Sequence, residues 1–462
     1  MIFLSIFIII LFIFIVHNVT TRVISPLLSR PPIVSGIVPW LGAAIAFGRG
    51  PPVQFLSDCY HQLGDVFTLH VAGRKMTFVL DTNEYDLFFN SSEQVIDFTH
   101  ATQPFLERGF GIQKKEYFAA HERQLAALRK RLAPNNLCSL CTQLSLQFND
   151  YCRSHIDTTS RKSIQLKALL QKASFYCTVN ILFGQRAAND PNLFELFHCF
   201  DDWFEMASSD IPHLFLPKFK AAQKKILSIL ERSAADYHHD QDEPQHEQFV
   251  GSMIAGDRPP SSAAHWLLAI LWAAEANTMV ALFWFILSLI EHPEYLEKCR
   301  DQISQIAGDQ RHFSYEQVKQ MTLLDHAMKE TIRLHATPII VRATRQTVKI
   351  GKYQVPPGHF LCLSPLLSHQ KSALFGEDAM QWKPERWENK ANWQRFAILS
   401  FGSGKYRCPG QNFAYMQLTL IAAILISNYQ FQLTGPIPKR SMDNLVGIQK
   451  PKCDAEVIIQ QR

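Results

Sequence analysis

The stretch FGSGKYRCPG, Phe401 to Gly410, packs three glycines, one proline, two basic residues and one cysteine into ten positions late in the chain. A turn this open leaves backbone amides free, and amides and positive charge around a thiol favour its thiolate over the free form, whose pKa is about 8.5. Pro409 suits a first helical position. Phe413, Met416, Leu420 and Ile424 then follow at helical spacing, which sets Cys408 at a helix start beside the positive end of its dipole.

Two further motifs precede the turn. Glu330-Thr331-Ile332-Arg333 sets a carboxylate and a guanidinium at i and i+3 on one helix face. Ser314-Tyr315-Glu316-Gln317 has capping-box form and is expected to open that helix, whose Leu323, Leu324, Met328 and Ile332 face a core. Pro384-Glu385-Arg386-Trp387 is a short turn with its own arginine. Upstream, Val66–Val71 and Met76–Leu80 flank Ala72-Gly73-Arg74-Lys75 and read as a hairpin. Between about 115 and 335 the pattern is mostly helical, broken by the polar loop His238–Pro244.

Composition bounds the class. With 462 residues, 47% hydrophobic and 19% charged, the chain has enough apolar material for one large domain able to bury a large ligand. A net charge of +5 does not call for nucleic acid. The ten cysteines follow no disulfide framework; Cys138 and Cys141, a lone C-x-x-C in a helical stretch, read as two reduced thiols. Met1 to Val16 is apolar except for Ser5, and no charge appears before Arg22, so residues 1–21 suit a membrane anchor about 30 Å long. Residues 22–42, with Arg30-Pro31-Pro32 and Pro39-Trp40, read as a proline-rich linker, and 43–462 as the body, facing the cytosol.

E-x-x-R, then P-E-R-W, then F-x-x-G-x-x-x-C-x-G, in this order, resembles the cytochrome P-450 family of haem-thiolate monooxygenases. The resemblance implies a mainly α fold with a small β-sheet region, with Glu330, Arg333 and Arg386 as a buried charge cluster bracing the cysteine loop. It implies haem b with Cys408 as the axial iron ligand, whose thiolate donates electrons that favour O–O cleavage. Phe401, Gly402, Gly404, Arg407, Arg342 and, from the stretch His121–Leu125, His121 are the implied cofactor-binding residues, the glycines letting the backbone approach the macrocycle. The chain departs from the family at Tyr406, where Arg or His is usual, and at residues 121–125, where W-x-x-x-R is expected.

The stretch His265–Thr278 resembles the family's oxygen-binding helix, but the usual acid–alcohol pair falls on Ala276 and Asn277. Asn277, with Thr278 and ordered water, is therefore expected to deliver the proton that dioxygen needs. An asparagine there resembles the branch of sterol and oxysterol 7α-hydroxylases and prostacyclin synthase, with Phe283-Trp284 and Leu445-Val446-Gly447 closest to the oxysterol 7α-hydroxylases. By family position, residues 95–112, 273–277, 337–340 and 444–448 line the cavity. The aromatic-rich stretch from Trp203 to Phe219 faces either a membrane or the core. The implied partners are dioxygen, a sterol or oxysterol, the endoplasmic reticulum membrane and an NADPH-cytochrome P-450 reductase. No nicotinamide or flavin motif is visible, and Lys405 and Arg407 with Arg123, Arg129, Lys130 and Arg131 form a candidate docking face. A haem-thiolate isomerase of prostacyclin-synthase type and a non-catalytic haem or sterol binder stay open as alternatives.

Overall fold

A computed structural model describes residues 15–16, 29–34, 36, 42–71, 73–159, 162–209, 211–236, 260–388 and 399–462. The anchor at 1–21, apart from Ile15 and Val16, and the polar run His238–Pro244 lie outside the described residues.

The body is mainly helical, with small sheets at its edge. Helices that position the site are α1 (Phe98–Phe110), α2 (Lys114–Arg131), α3 (Pro134–His155), α4 (Leu166–Phe183), α5 (Leu193–Ser208), α6 (Pro217–Asp236), α7 (Pro260–Glu275), α8 (Thr278–Glu291), α9 (Pro293–Ala307), α10 (Thr322–His335) and α11 (Gln411–Asn428). Helices α8 and α11 are apolar all round and accordingly sit at the centre, packed against α3, α4 and α10. Together α7 and α8 form the stretch among the described residues long and apolar enough to cross a membrane, yet most of it is buried in protein, so it is a core element.

The main sheet joins β1 (Ile33–Val34), β2 (Val66–Val71), β3 (Arg74–Val79), β4 (Ile96–Asp97), β6 (Ile340–Thr344) and β9 (Phe360–Leu363) in the order β1-β2-β3-β9-β6-β4. The expected hairpin is β2–β3, antiparallel from Val66 opposite Val79 to Val71 opposite Arg74, and Gly73 turns it at φ 81°. A second sheet joins β10 (Tyr429–Leu433), β11 (Glu456–Gln461) and β5 (Ile164–Gln165), and β7 (Val348–Ile350) pairs with β8 (Tyr353–Val355). Part of the proline-rich linker belongs to the body: Ile33 and Val34 lie parallel to Thr68 and Leu69, and the Thr68 amide donates to Pro32 O at 2.8 Å.

Two helix starts differ from expectation. The capping box at Ser314 and Gln317 is present, but it opens a six-residue helix that stops at Met321 (ψ 63°), and α10 starts afresh at Thr322. Helix α11 begins at Gln411 with Gly410 as N-cap, so Pro409 lies just outside it, in the turn. Cys138 is exposed and Cys141 buried, both free thiols, as read from their spacing.

Candidate functional site

The cysteine turn is held by its own backbone. The Cys408 amide donates to Phe401 O at 2.9 Å and the Gly402 amide to Leu399 O at 2.8 Å. Gly402 and Gly404 both have left-handed backbones, φ 65° and 67°, and a Cβ on Gly404 would stand 2.8 Å from Phe89 O, so the turn itself requires glycine there. The Phe401 ring meets Tyr415 edge-on at 5.1 Å. Burial pushes the Cys408 thiol up, against the pull of the Gly410 and Gln411 amides and the Arg407 charge. The expected donors are thus in place but do not outweigh burial in the protein alone. A metal held by this sulfur would supply the rest, since a coordinating thiol is deprotonated.

Beneath the turn, Glu330 is saturated. Its oxygens accept from Arg333 Nε (2.9 Å) and Nη2 (2.8 Å), Arg386 Nε (2.8 Å), Trp387 Nε1 (3.0 Å) and the Lys383 amide (3.0 Å). Arg333, fully buried, also donates to His369 O at 2.7 Å. His369 extends the brace to the turn: Nδ1 donates to Arg333 O at 3.1 Å and Nε2 accepts the Leu399 amide at 3.1 Å. Burial and the Arg333 charge hold this histidine neutral, its pKa lowered to about 3. Nothing in the sequence around His369 signals this part; it comes from the fold.

Arg342, on β6, is buried with no ion pair among the described residues. Its guanidinium lies over the rings of Phe98 (4.6 Å), Phe88 (5.2 Å) and Tyr406 (5.5 Å), and burial lowers its pKa to about 10. Tyr406 stacks on Phe98 and donates its hydroxyl to Glu93. His121 lies near by on α2, Nε2 3.4 Å from Thr99 Oγ1 and Nδ1 3.1 Å from Tyr117 O. Arg407 is exposed, and its Nε donates to Gln411 Oε1. The basic face is less free than its sequence suggests: Lys405 pairs with Glu93 and Glu122, each at 3.0 Å, Arg129 donates to Lys405 O at 2.7 Å, and Arg131 is half-buried.

The long apolar helix breaks at Ala276-Asn277, between α7 and α8. Asn277 Oδ1 is buried and unpartnered, Thr278 is buried, and Ala273 is open although the helix around it is packed. Glu275 was passed over by sequence reasoning. It is fully buried, neither oxygen has a hydrogen-bond partner, and burial raises its pKa to about 8. The Thr178 hydroxyl beside it donates instead to Ser174 O at 2.8 Å and accepts from Gln417 Nε2 at 2.8 Å. A cleft between the break and the C-terminal turn is lined by Ala276, Asn277, Asn444, Gly447 and Ile448, as expected, and also by Asp201, Phe204, Glu205 and Lys450, which were not. The aromatic-rich stretch divides: Phe204, Leu216 and Phe219 are core, whereas Leu214 and Phe215 are 84% and 70% exposed.

An open cysteine turn tied through His369 to a saturated charge cluster, in a fold whose central apolar helix breaks at Asn277, fits a haem-thiolate enzyme. The sequence profile of the cytochrome P-450 family matches residues 31–457, and the chain belongs to that family of haem-dependent monooxygenases. It is similar to the human 24-hydroxycholesterol 7-alpha-hydroxylase, 27% identical over 452 residues that cover 94% of each chain. It is 25% identical over 422 residues to the lanosterol 14-alpha demethylase of Macaca fascicularis, covering 87% of this chain and 81% of that one. The structure of a retinoic-acid-bound cyanobacterial CYP120A1 superposes with a TM-score of 0.80 at 21% identity, over 94% of this chain and all of that one.

Members bind haem through a cysteine thiolate, and this chain's residues fit that group. The Cys408 side chain is open although atoms crowd around it, Ala273 is open on an otherwise packed apolar helix, and Arg342 is a buried cation lacking the anion that a propionate would supply.

Proposed function

We propose that the protein hydroxylates a sterol or oxysterol, at the 7α position, with Cys408 as the haem ligand and electrons from a separate NADPH-cytochrome P-450 reductase. Arg342, buried without an ion pair and packed on Tyr406 two residues before the open Cys408, carries the site assignment, and similarity to a 24-hydroxycholesterol 7-alpha-hydroxylase across nearly the whole chain supports the substrate class. Haem supplies dioxygen activation when bound. Arg342 holds a propionate, with Tyr406 and His121 closing that edge; Phe401, Gly402 and Gly404 fix the turn, and Arg407 adds positive charge beside the sulfur. Asn277 Oδ1, lacking any protein donor, holds a water through which a proton passes, and Thr278, buried, opens the helix that follows the break.

Residues 1–21 would anchor the body to the endoplasmic reticulum membrane as a single pass, with the catalytic domain facing the cytosol. The exposed Leu214 and Phe215 suit contact with the same lipid surface, which would give an apolar substrate a dry entry. Rearrangement of an endoperoxide is the second reading, favoured by the absence of an acid–alcohol pair at Ala276 and Asn277.

The test is incubation of the haem-loaded protein, reductase and NADPH with a panel of oxysterols. We expect 7α-hydroxylated products that require NADPH, and their loss in Cys408→Ser together with the thiolate-type Soret band of the reduced carbon monoxide complex. Endoperoxide turnover without reductase, and no hydroxylated sterol, would replace hydroxylation by isomerisation.

A further inference from the structure

The cleft beside Asn277 is unusual for a site that takes a lipid: its polar groups are mostly acceptors. Glu205, on α5, reaches over to the C-terminal turn, where its oxygens accept the Leu445 amide at 3.1 and 3.2 Å and Asn444 Nδ2 at 3.3 Å. Burial pushes this carboxyl above its ordinary range. Opposite it, Asn277 Oδ1 is buried without a donor. Gly447 keeps the turn close, since a Cβ there would lie 2.6 Å from that same oxygen. Lys450, the cation lining the cleft, is already committed to Asp201 at 2.6 Å and Asp202 at 3.1 Å. Asp201 also accepts from Trp272 Nε1 at 2.9 Å. Phe204, Val446 and Ile448 make the remaining wall apolar.

A ligand group that satisfies this arrangement must donate a proton without carrying negative charge. A carboxylate would face Glu205 and Asp201 with no free cation to meet it. A ketone only accepts, and so leaves Asn277 Oδ1 without a donor and gives nothing to the remaining lone pairs of Glu205. A hydroxyl donates and is neutral.

We propose that Glu205, Asn444 and Asn277 form a hydroxyl subsite that selects sterol alcohols over the corresponding ketones and acids. This rests on the sterol reading above and deepens it: the hydroxyl that is recognised lies at the same end of the molecule as the carbon that is oxidised, because Asn277 borders both. Glu205 is the specificity-determining group, and Asn444 positions it.

Full-length haem-loaded protein is titrated with a monohydroxylated sterol and with its ketone, and the apparent Kd is read from the Soret shift. The alcohol is expected to bind about tenfold or more tighter, the range of one hydrogen bond to a charged acceptor. In Glu205→Gln the preference should shrink toward unity, with ketone affinity little changed. Asn444→Ala, which leaves the carboxylate in place but unsteadied, should reduce the preference in part. Equal affinity of the wild-type protein for alcohol and ketone overturns the subsite while leaving a sterol enzyme. A Glu205→Gln protein that discriminates as well as wild type also overturns it. No Soret shift with either compound overturns the sterol reading and the subsite with it.

Discussion

Glu330 and Glu275 are both completely buried, one at the cluster behind the cysteine turn and one at the break of the apolar helix, and they are treated in opposite ways. Glu330 accepts five hydrogen bonds from two arginines, a tryptophan and a backbone amide. Glu275 accepts none, and its pKa rises to about 8. Solvation supplied by the protein lets the first stay an anion in the interior, whereas burial without donors keeps the second a neutral acid at pH 7. The braced side is built to stay put. The other region leaves Glu275 and Asn277 Oδ1 without partners.

Breaking the brace has the largest expected effect. Glu330→Ala strands Arg333 in the core and should cost about 3 to 5 kcal/mol. Urea unfolding would show this directly, and haem content should fall because His369 and Leu399 lose their support. An unchanged unfolding midpoint would mean that the cluster does not hold the turn. The next effect sharpens the contrast. Glu275 keeps its proton in the folded state up to about pH 8, while the unfolded chain releases it near pH 4.3, so the folded state binds more protons in between. Stability is therefore expected to fall as pH rises through that window, by a few kcal/mol, and Glu275→Gln should flatten the slope. Unfolding midpoints at pH 5 and pH 8 for both proteins decide it; parallel slopes would show Glu275 to be ionised or solvated. Smallest is Thr178→Val, which removes the bonds to Ser174 and Gln417 and should cost about 1 kcal/mol without moving the pH profile. A moved profile would mean that Thr178 does solvate the acid.

Local chemistry was the legible part. The β2–β3 hairpin, the pairing of Glu330 with Arg333 and the glycine-bound cysteine turn each depend on neighbours a few residues apart, so short patterns carry them. Helix starts were misplaced where a turn intervened, at Met321 and at Gly410, because the capping residue and the proline announce a boundary without saying which side of it the helix lies. The partners of the site were not legible. His369 meets Leu399, Glu205 meets Leu445 and Lys450 meets Asp201 only because helices far apart in sequence cross in the fold. Glu275 was hidden in another way. An acid one position before Ala276 looks like a misplaced member of the usual pair, yet it packs beside Thr178 on α4, while the open Ala273 marks a different face of the helix.

Arg342 is buried against three aromatic rings, where a dissolved ion would have to give up its water to approach it. Screening works through mobile counterions, whose reach is about 8 Å at physiological ionic strength, and it erodes exposed pairs such as Lys405 with Glu122 first. An anion gripped at Arg342 should therefore stay bound in brine that would strip charged partners from the outside of the molecule.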